Sequence, residues 1–579
     1  MENKDVWKSI FEADPLFKPQ REKLSEIIDV QKVSDFIINS QTEQGYFDVK
    51  SPMFNTTFLC VSILNDCDKK ISENTIKFIE SLQAGSMGFS EMPGEMPWTD
   101  RTYYALEMMK IIKKEPRAKE KMIEFHQSLQ NDDGGFCSIG TQYSNLIDTF
   151  TVVQILSLLG LKPKSADKAI NYLKSQNVFS NVNTLYNSIN CMKILRHNLE
   201  IKEVEEIKNF LNNVRANISQ NGTYEDIFYF LMIQKYIGDV QHYPELFTAR
   251  LKNVMQNISS FHVQDLYYIT KIFKLFNKIG DISETVCNIA IRYEMPKGGF
   301  FMPGEIYIFK NNMAFHTLFL LDELSKINAE KYLEWLLKSA VSGAWGSVPN
   351  NQTDRDLYTR SSIATFRISD ISKLDEVMKR AIVRKLTNKL ENISVKFEYS
   401  SYHFARLARE LFETFFLLNE FIDDARLIGW IKMDIVKNVL MRFWNEDGGF
   451  GDPSRSFIYT TFLAVRALHL GENYLFNEFN NKDIKWLDKI RDKISEWILS
   501  CQNSDGGFGP RPGEPSNIQA TFYALRSLFM LDKKIEKEEN LIKWLKSNQN
   551  QDGGFSMNGL SSDISFTFYA VGSLIIISS

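Results

Sequence analysis

Paired cysteines are missing from this chain, and so are the histidine and cysteine spacings that usually hold a metal. The six cysteines form no CxxC pair, which excludes a disulfide framework and favours reduced thiols. The seven histidines show no HxxxH spacing and no His/Cys cluster, so they predict no metal site. The cysteines are Cys60, Cys67, Cys137, Cys191, Cys287 and Cys501.

An excess of positive charge and a long apolar run are also missing. The net charge is -4, the pI is about 6.1, and no stripe of Lys and Arg is present. This argues against nucleic acid as a partner, because phosphate binding needs clustered basic side chains. No apolar run approaches the roughly 20 residues that span a bilayer. The start, MENKDVWKSIFEADPLF, lacks the pattern of a secretory signal. We expect a cytoplasmic protein without a transmembrane segment; peripheral membrane contact and the oligomeric state stay open.

Aromatic residues, by contrast, are abundant. The 43 Phe, 22 Tyr and 9 Trp make up 13% of the chain. Such side chains fill hydrophobic cores, and they line large apolar cavities equally well. Both interpretations stay open at this point.

An internal repeat organises the sequence. Its unit is a turn of the form QxxDGGF, followed about a dozen residues later by an apolar helix. The two glycines allow positive φ, the Asp can cap the next helix, and the Phe or Trp anchors the turn on the neighbouring hairpin. The clear copies are 130–136, 445–450, 502–508 and 549–555, with weaker ones at Gly45-Tyr46, Gly88-Phe89, Gly299-Phe300 and Gly346.

The spacing of the turns predicts helical hairpins in tandem. Neighbouring copies are 43 to 47 residues apart, which suits one hairpin per unit. Degenerate units near Asn181, Gly222, Ser260 and Glu398 bring the number to twelve, or two rings of six. We therefore predict an all-α fold of two α/α barrels: an N-terminal segment 1–30, a first barrel 31–290 and a second barrel 291–579. The first 30 residues precede the first repeat and are free to lie across the second ring.

These turns resemble the prenyltransferase and squalene-oxidocyclase superfamily, which includes protein prenyltransferase β subunits, squalene-hopene cyclases and class II diterpene cyclases. The resemblance covers about residues 34 to 579, and two tandem rings resemble the βγ arrangement of class II cyclases. Within that family a G-x-W-G-x-x-P turn precedes a D-x-D-D acid motif and a T-A-x-A-F-R helix. The matching stretches here are 343–349 (GAWGSVP), 362–367 (SIATFR) and, for the family's K-W-H-x-S-P-Y-Y, 396–403 (KFEYSSYH).

This chain departs from the family's pattern at the acid motif. Alignment through SIATFR puts YTRS, residues 358–361, at its place, and no DxDD occurs in the chain. Tyr358 is a poor substitute, because a phenol near pKa 10 is a weaker acid than an Asp near 3.9 by roughly 8 kcal/mol. Asp354 and Asp356 lie just upstream and would either supply the acid or cap the helix. Arg360 would repel a carbocation and favour an anionic head group.

The resemblance implies a class II-like terpene cyclase that uses another acid to start cyclisation of a linear polyprenyl substrate, in the C15 to C20 diphosphate range. We predict Asp356 as the acid and Asp354 as its partner, with Tyr358 and His403 beside them. His316 is a further histidine that could orient an acid, although a structural role competes for it. The predicted substrate-binding residues are Arg360, Trp345, Tyr402 and Phe366.

Magnesium is the cofactor that a diphosphate substrate would imply, with Glu91 and Glu95 either holding it or forming a solvated turn. Two other functions stay open. One is a catalytically silent ring that binds a prenyl ligand or a partner protein, which the loss of DxDD favours. The other is a protein prenyltransferase-like subunit, which the lack of any Asp-x-Cys for a zinc site disfavours.

Overall fold

The structure is a computed structural model. It describes residues 14–44, 46–48, 53–93, 97–138, 144–238, 250, 252–297, 299–300, 308–340, 345, 356–369, 371–375, 377–382, 384, 444–452, 455–475, 481–557 and 559–579. These residues form helices and two short antiparallel strand pairs, which confirms the predicted all-α fold of α/α barrels. The strand pairs are β1 (Gln83–Ala84) with β2 (Gly88–Phe89), and β3 (Gly451–Asp452) with β4 (Arg455–Ser456).

The helices follow one another as hairpins. As far as residue 291 they are α1 (Arg21–Ser25), α2 (Val30–Ile38), α3 (Phe54–Asp66), α4 (Glu73–Ser81), α5 (Thr99–Ile111), α6 (Lys119–Gln127), α7 (Leu146–Leu158), α8 (Ala166–Ser175), α9 (Val182–Ile194), α10 (Ile201–Asn221), α11 (Tyr224–Tyr236), α12 (Val263–Leu275) and α13 (Ser283–Ile291). Beyond residue 300 they are α14 (Ile308–Leu320), α15 (Ala329–Lys338), α16 (Asp356–Ser369), α17 (Ile458–Leu475), α18 (Asn481–Ser500), α19 (Ile518–Met530), α20 (Glu538–Ser547) and α21 (Ile564–Ser578).

Six inner helices close the first ring. Helices α3, α5, α7, α9, α11 and α12 pack side by side in that order, and α12 packs against α3. Each is 13 residues long, so the inner layer is about 20 Å tall. Helices α4, α6, α10 and α13 contact this layer from outside and cover the apolar faces that a single hairpin would leave exposed.

Side chains just before the inner helices fix where these helices begin. In α7, for example, the Asn145 side chain accepts a hydrogen bond from the Asp148 N–H at 2.8 Å, which satisfies a backbone donor that has no partner within the helix. Equivalent caps are provided by Asn181, Thr223, Asn517 and Asp563.

Five inner helices of the second ring are described. They pack in the order α16, α14, α21, α19 and α17. The hairpin predicted near Glu398 lies outside the described residues. Helices α15, α18 and α20 contribute Leu336, Ile494 and Leu545 to the core behind this layer.

Each repeat turn is joined to an inner helix by one buried hydrogen bond. In the turn 130–136 the Phe136 N–H donates to the Thr149 hydroxyl at 2.9 Å, and the Asp133 carboxylate accepts from the Gly135 N–H at 2.9 Å. The same bond to a threonine occurs at Phe89, Phe450, Phe508 and Phe555. In all five cases the threonine follows in the next helix, 11 to 13 residues along the chain.

Two turns bind an inner helix that is distant in the sequence, and not the helix that follows them in the chain. The Phe47 N–H donates to the side-chain amide oxygen of Asn311 on α14 at 2.5 Å, and the Phe300 N–H donates to the Thr57 hydroxyl of α3 at 2.9 Å. The partners are 264 and 243 residues apart. The first ring is therefore a continuous insertion between α2 and α14, and the second ring begins with the N-terminal residues.

The core confirms where the N-terminal helices pack. Val33 and Ile37 of α2 are fully buried in the cluster that contains Phe315 and Phe555 of the second ring. The repeat pattern in the sequence predicts that residues 31–48 belong to the first barrel, because α2 and its turn precede α3 in the chain. The exchange of partners places these residues with the second ring, and the boundary near residue 290 stays a prediction.

The first glycine of each turn touches the next outer helix. Gly134 has φ +90°, and a Cβ there would lie 2.2 Å from the Lys168 carbonyl oxygen of α8. In the last turn, Gly553 approaches the Lys32 carbonyl of α2 in the same way. The last turn of the chain therefore packs on one of its first helices, and this contact closes the second ring.

Alanine at Gly134 should cost more stability than alanine at Gly160. Both glycines have φ near +90°, but no atom lies within 4 Å of a Cβ at Gly160. We expect Gly160→Ala to cost about 1 kcal/mol from backbone strain, and Gly134→Ala to cost at least about 2 kcal/mol more from the clash with α8. Thermal melting followed by circular dichroism measures both variants. Equal melting temperatures would show that the turn does not press on α8.

Candidate functional site

An aromatic wall lines one side of the second ring. It is formed by the rings of Tyr459 and Phe462 on α17, Phe522 and Tyr523 on α19, and Phe568 and Tyr569 on α21. Neighbouring rings of the wall are in contact. The Phe462 and Tyr523 centroids are 4.8 Å apart, and those of Tyr523 and Tyr569 are 5.8 Å apart. Phe522 contacts Phe568 at 5.7 Å. Three adjacent inner helices thus present one continuous aromatic surface.

A buried polar cluster lies on the two inner helices next to the wall. The Asn312 amide of α14 donates to the hydroxyls of Ser361 and Ser362 of α16, at 2.9 and 3.1 Å. Its carbonyl accepts from the Thr365 hydroxyl at 3.1 Å and from the Tyr332 hydroxyl at 2.8 Å. Every polar atom of Asn312 therefore has a partner, as a buried amide requires.

His316 connects the polar cluster to the aromatic wall. Its Nε2 lies 3.0 Å from the Thr365 hydroxyl, and its ring lies 6.4 Å from the ring of Phe568. His316 therefore lies between the buried polar cluster and the aromatic wall. The His316 ring is partly exposed, whereas the cluster behind it is buried.

The residues predicted to form the site fall into three groups. Asp356, Tyr358 and Arg360 are the first, third and fifth residues of α16, the helix that carries part of the polar cluster. Asp354, Tyr402 and His403 lie outside the described residues. The catalytic and head-group roles of these six residues stay predictions.

Trp345 and Phe366, predicted to bind substrate, form the third group. Both are fully buried, their rings are 6.1 Å apart, and the Trp345 indole N–H donates to the Leu336 carbonyl at 2.7 Å. Their contacts are those of a turn anchored in the core between the helix layers. A role in substrate binding stays a prediction for both.

A second polar group was not found from the sequence. Asp14, just before α1, lies 2.7 Å from a guanidinium nitrogen of Arg526 and 3.9 Å from one of Arg466, and all three side chains are buried. The arginines occupy the ninth position of α19 and α17. At the ninth position of α21 is Gly572, where a Cβ would meet Phe522 and Leu16. The N-terminal segment therefore crosses this side of the second ring.

An alignment of the inner-helix sequences would have indicated this group. Helices α17, α19 and α21 share their register through the threonine that binds the turn, so AVRAL, ALRSL and AVGSL superpose. Two arginines at one level of a ring need an anion, whereas the glycine leaves room for a crossing segment. The sequence did not predict that Asp14 is this anion; the structure shows it.

The predicted magnesium site lies only in part within the described residues and stays a prediction. Glu91 lies 3.2 Å from Arg101, which also pairs with Asp100 at 2.8 Å, and Glu95 is outside the described residues. Within the described ranges no three His, Cys, Asp or Glu side chains come together as metal ligands would. No step of a reaction is therefore assigned to magnesium here.

A crevice between the two rings is too small for an isoprenoid. Its walls include Phe78 of the first ring, Met557 and Phe566 of the second, and Lys297 of the turn between them. It encloses about 10 Å³, which is room for about one water molecule.

Comparison with known proteins identifies the family. The model of the prenyltransferase alpha-alpha toroid domain matches residues 20–115, 53–181, 238–395 and 480–579, which together make up more than two thirds of the chain. The protein therefore belongs to the prenyltransferase alpha-alpha toroid domain family. The model of the Ribophorin II N-terminal domain also matches residues 161–290. No curated protein matches the chain.

Two solved structures are similar at low identity. The ent-copalyl diphosphate synthase from Streptomyces platensis is 12% identical, with 80% of this chain and 91% of that chain covered and a TM-score of 0.27. The protein geranylgeranyltransferase-I of Candida albicans, complexed with GGPP, is 13% identical, with 58% and 92% covered and a TM-score of 0.19. Similarity at this level does not define a substrate. In the described part of the chain, no helix combines the length and apolarity that a bilayer crossing requires.

The stability of the protein should fall in acid because of His469. Burial, and next the charge of Arg466, lower the pKa of His469 from 6.5 to about 4. A depressed histidine pKa stabilises the fold above pH 6.5, and this contribution is lost as the pH falls from 6.5 to 4. At pH 5 the loss is about 2 kcal/mol. Melting temperatures from pH 7.5 to 5 should therefore fall further for the wild type than for His469→Gln. Parallel pH profiles would contradict the shift.

Proposed function

We propose that the second ring binds a linear isoprenoid between its aromatic wall and its polar cluster, and that it cyclises or rearranges this substrate after protonation by Asp356. The observation that carries the proposal is the position of helix α16. The helix that begins at Asp356 also carries Ser361 and Thr365 of the polar cluster, and His316 connects this cluster to the wall.

Each part has a chemical role in such a reaction. The Asp356 carboxyl donates its proton to an alkene carbon, and the positive charge that forms on the neighbouring carbon is stabilised by the faces of Phe462, Phe522 and Phe568. The start of a helix favours the carboxylate that remains. Loss of a proton from the substrate, or capture of water, then ends the reaction. Asp354 acts as the partner of the acid, and Arg360 binds an anionic head group.

The substrate class is a C15 to C20 prenyl diphosphate. Its apolar chain suits a wall of six aromatic rings, and its head group suits the guanidinium of Arg360 at the start of α16. Tyr358, Tyr402 and His403 belong to the same proposed site. Trp345 and Phe366 support it by fixing the turn and helix that carry the acid.

Product formation tests the proposal directly. Purified protein is incubated with farnesyl or geranylgeranyl diphosphate, with and without Mg²⁺, and the products are analysed by mass spectrometry after phosphatase treatment. We expect a cyclised or rearranged product from the wild type and a loss of at least about 100-fold in Asp356→Asn. Asp167→Asn, at an exposed Asp in the first turn of α8, is the matched control and should retain full activity. No product from either substrate would contradict the reaction.

A catalytically silent ring that binds a prenyl ligand or a partner protein is the second candidate. The observation that favours it is the polar cluster itself, in which Ser361, Ser362 and Thr365 supply hydroxyls that Asn312 already engages. Native mass spectrometry of a lipid that co-purifies, together with binding but no turnover of geranylgeranyl diphosphate, would support this candidate. A protein prenyltransferase-like subunit is the remaining alternative, and zinc in the purified protein would support it.

A further inference from the structure

The interior of the first ring contains a belt of tyrosines. Four inner helices place tyrosine at their fifth or sixth residue, so these rings lie at one level of the ring. We call this set the tyrosine belt: Tyr103 and Tyr104 on α5, Tyr186 on α9, Tyr229 on α11, and Tyr267 and Tyr268 on α12.

The belt is continuous. Tyr186 contacts Tyr229 at 4.9 Å, Tyr229 contacts Tyr268 at 5.9 Å, and Tyr268 contacts Tyr267 at 4.9 Å between ring centroids. Phe58 of α3 then joins the two halves, at 5.7 Å from Tyr267 and 4.7 Å from Tyr104. Aromatic rings therefore surround the lumen on five of its six inner helices.

The belt faces an accessible lumen. All six tyrosines keep part of their surface exposed, although they belong to inner helices whose outward faces are buried. Outer helices cover α5 and α11 from behind, so this exposure is toward the centre of the ring. The aromatic faces of the belt are therefore accessible from the lumen.

Two carboxylates lie one helical turn from the belt, on opposite sides of it. Glu225 is the second residue of α11, and its Oε1 accepts from the Tyr268 hydroxyl at 2.7 Å. Glu107 is the ninth residue of α5; after burial, its charge is the next cause that raises the pKa of Tyr103 and of Tyr186. Neither carboxylate has an ion-pair partner among the residues that the structure describes.

One cation already contacts the belt. The Lys271 ammonium of α12 lies 5.3 Å from the centroid of Tyr267. The Asp66 carboxylate lies 2.7 Å from this ammonium and 2.9 Å from that of Lys274, so two lysines share one carboxylate. This contact shows that the face of the belt accommodates positive charge, and within the described residues Glu107 and Glu225 form no ion pair.

We propose that the lumen of the first ring binds an organic cation of the quaternary ammonium class. Aromatic faces attract a cation through the ring quadrupole, and the two carboxylates supply the opposite charge above and below the belt. A quaternary ammonium suits such a site better than a metal ion or a primary amine, because its alkyl groups make it weakly hydrated and pack against the rings. The site is separate from the one proposed in the second ring.

Paired probes of equal shape test the role of the charge. Choline and its neutral isostere 3,3-dimethylbutan-1-ol are titrated into the full-length protein by isothermal titration calorimetry. We expect choline to bind at least about tenfold more tightly than the alcohol. Binding should weaken about tenfold in Glu225→Gln and at least tenfold in Tyr268→Leu, because each change removes an attraction for the cation. Tyr268→Phe keeps the aromatic face and should retain affinity within about threefold.

Glu206→Gln is the control for charge outside the lumen. Glu206 is on the outer helix α10 with 51% of its side chain exposed, so its loss changes the net charge equally and should leave choline binding unchanged. Circular dichroism checks that each variant is folded. If Tyr268→Leu does not fold, the comparison of Tyr268→Phe with Glu225→Gln still tests the proposal. Equal affinity for choline and the alcohol, no binding of choline at 10 mM, or equal weakening in Glu206→Gln would each overturn the proposal.

Discussion

A single hydrogen bond, from the backbone N–H of a buried aromatic residue to a threonine hydroxyl, sets the position of each turn on its inner helix. The N–H of Phe136 is fully enclosed, and a buried donor without an acceptor costs about as much as a lost hydrogen bond. Thr149 meets this need only at one register of the helix. The bond therefore fixes the level of the side chains on the helices that carry such a threonine, among them the three helices of the aromatic wall.

That shared register explains why the two rings differ in chemistry while they agree in shape. Aromatic residues occupy the fifth and sixth positions of inner helices in both rings, as Phe462 and Tyr186 illustrate. At the ninth position the rings diverge. The first ring carries Glu107 and Lys271 there, whereas the second carries Arg466 and Arg526, held by Asp14. One lumen is left with carboxylates near its aromatic rings, and the other with a polar cluster next to the helix of the proposed acid.

Much of the fold could be predicted from the sequence, because a turn such as 502–508 and the helix after it are neighbours in the chain. The bonds of Phe47 and Phe300 to distant helices could not be predicted. Phe47 precedes Thr57 by a spacing close to that of a regular unit, and nothing in the nearby sequence reveals that its N–H binds Asn311 instead. The site was predictable only in part. The motif led to helix α16 and Asp356, but the wall, the cluster around Asn312 and the pairing of Asp14 depend on contacts between distant helices.

The insertion of the first ring has a consequence for the order in which the protein is made. All the contacts that close this ring lie between residues 53 and 300, so a ribosome that has released that stretch has released a complete ring. The second ring needs α2 against the turn at Gly553, near the other end of the chain. Helix α2 must therefore wait, with its apolar face uncovered, through the synthesis of some five hundred residues, roughly half a minute to two minutes at common rates of translation.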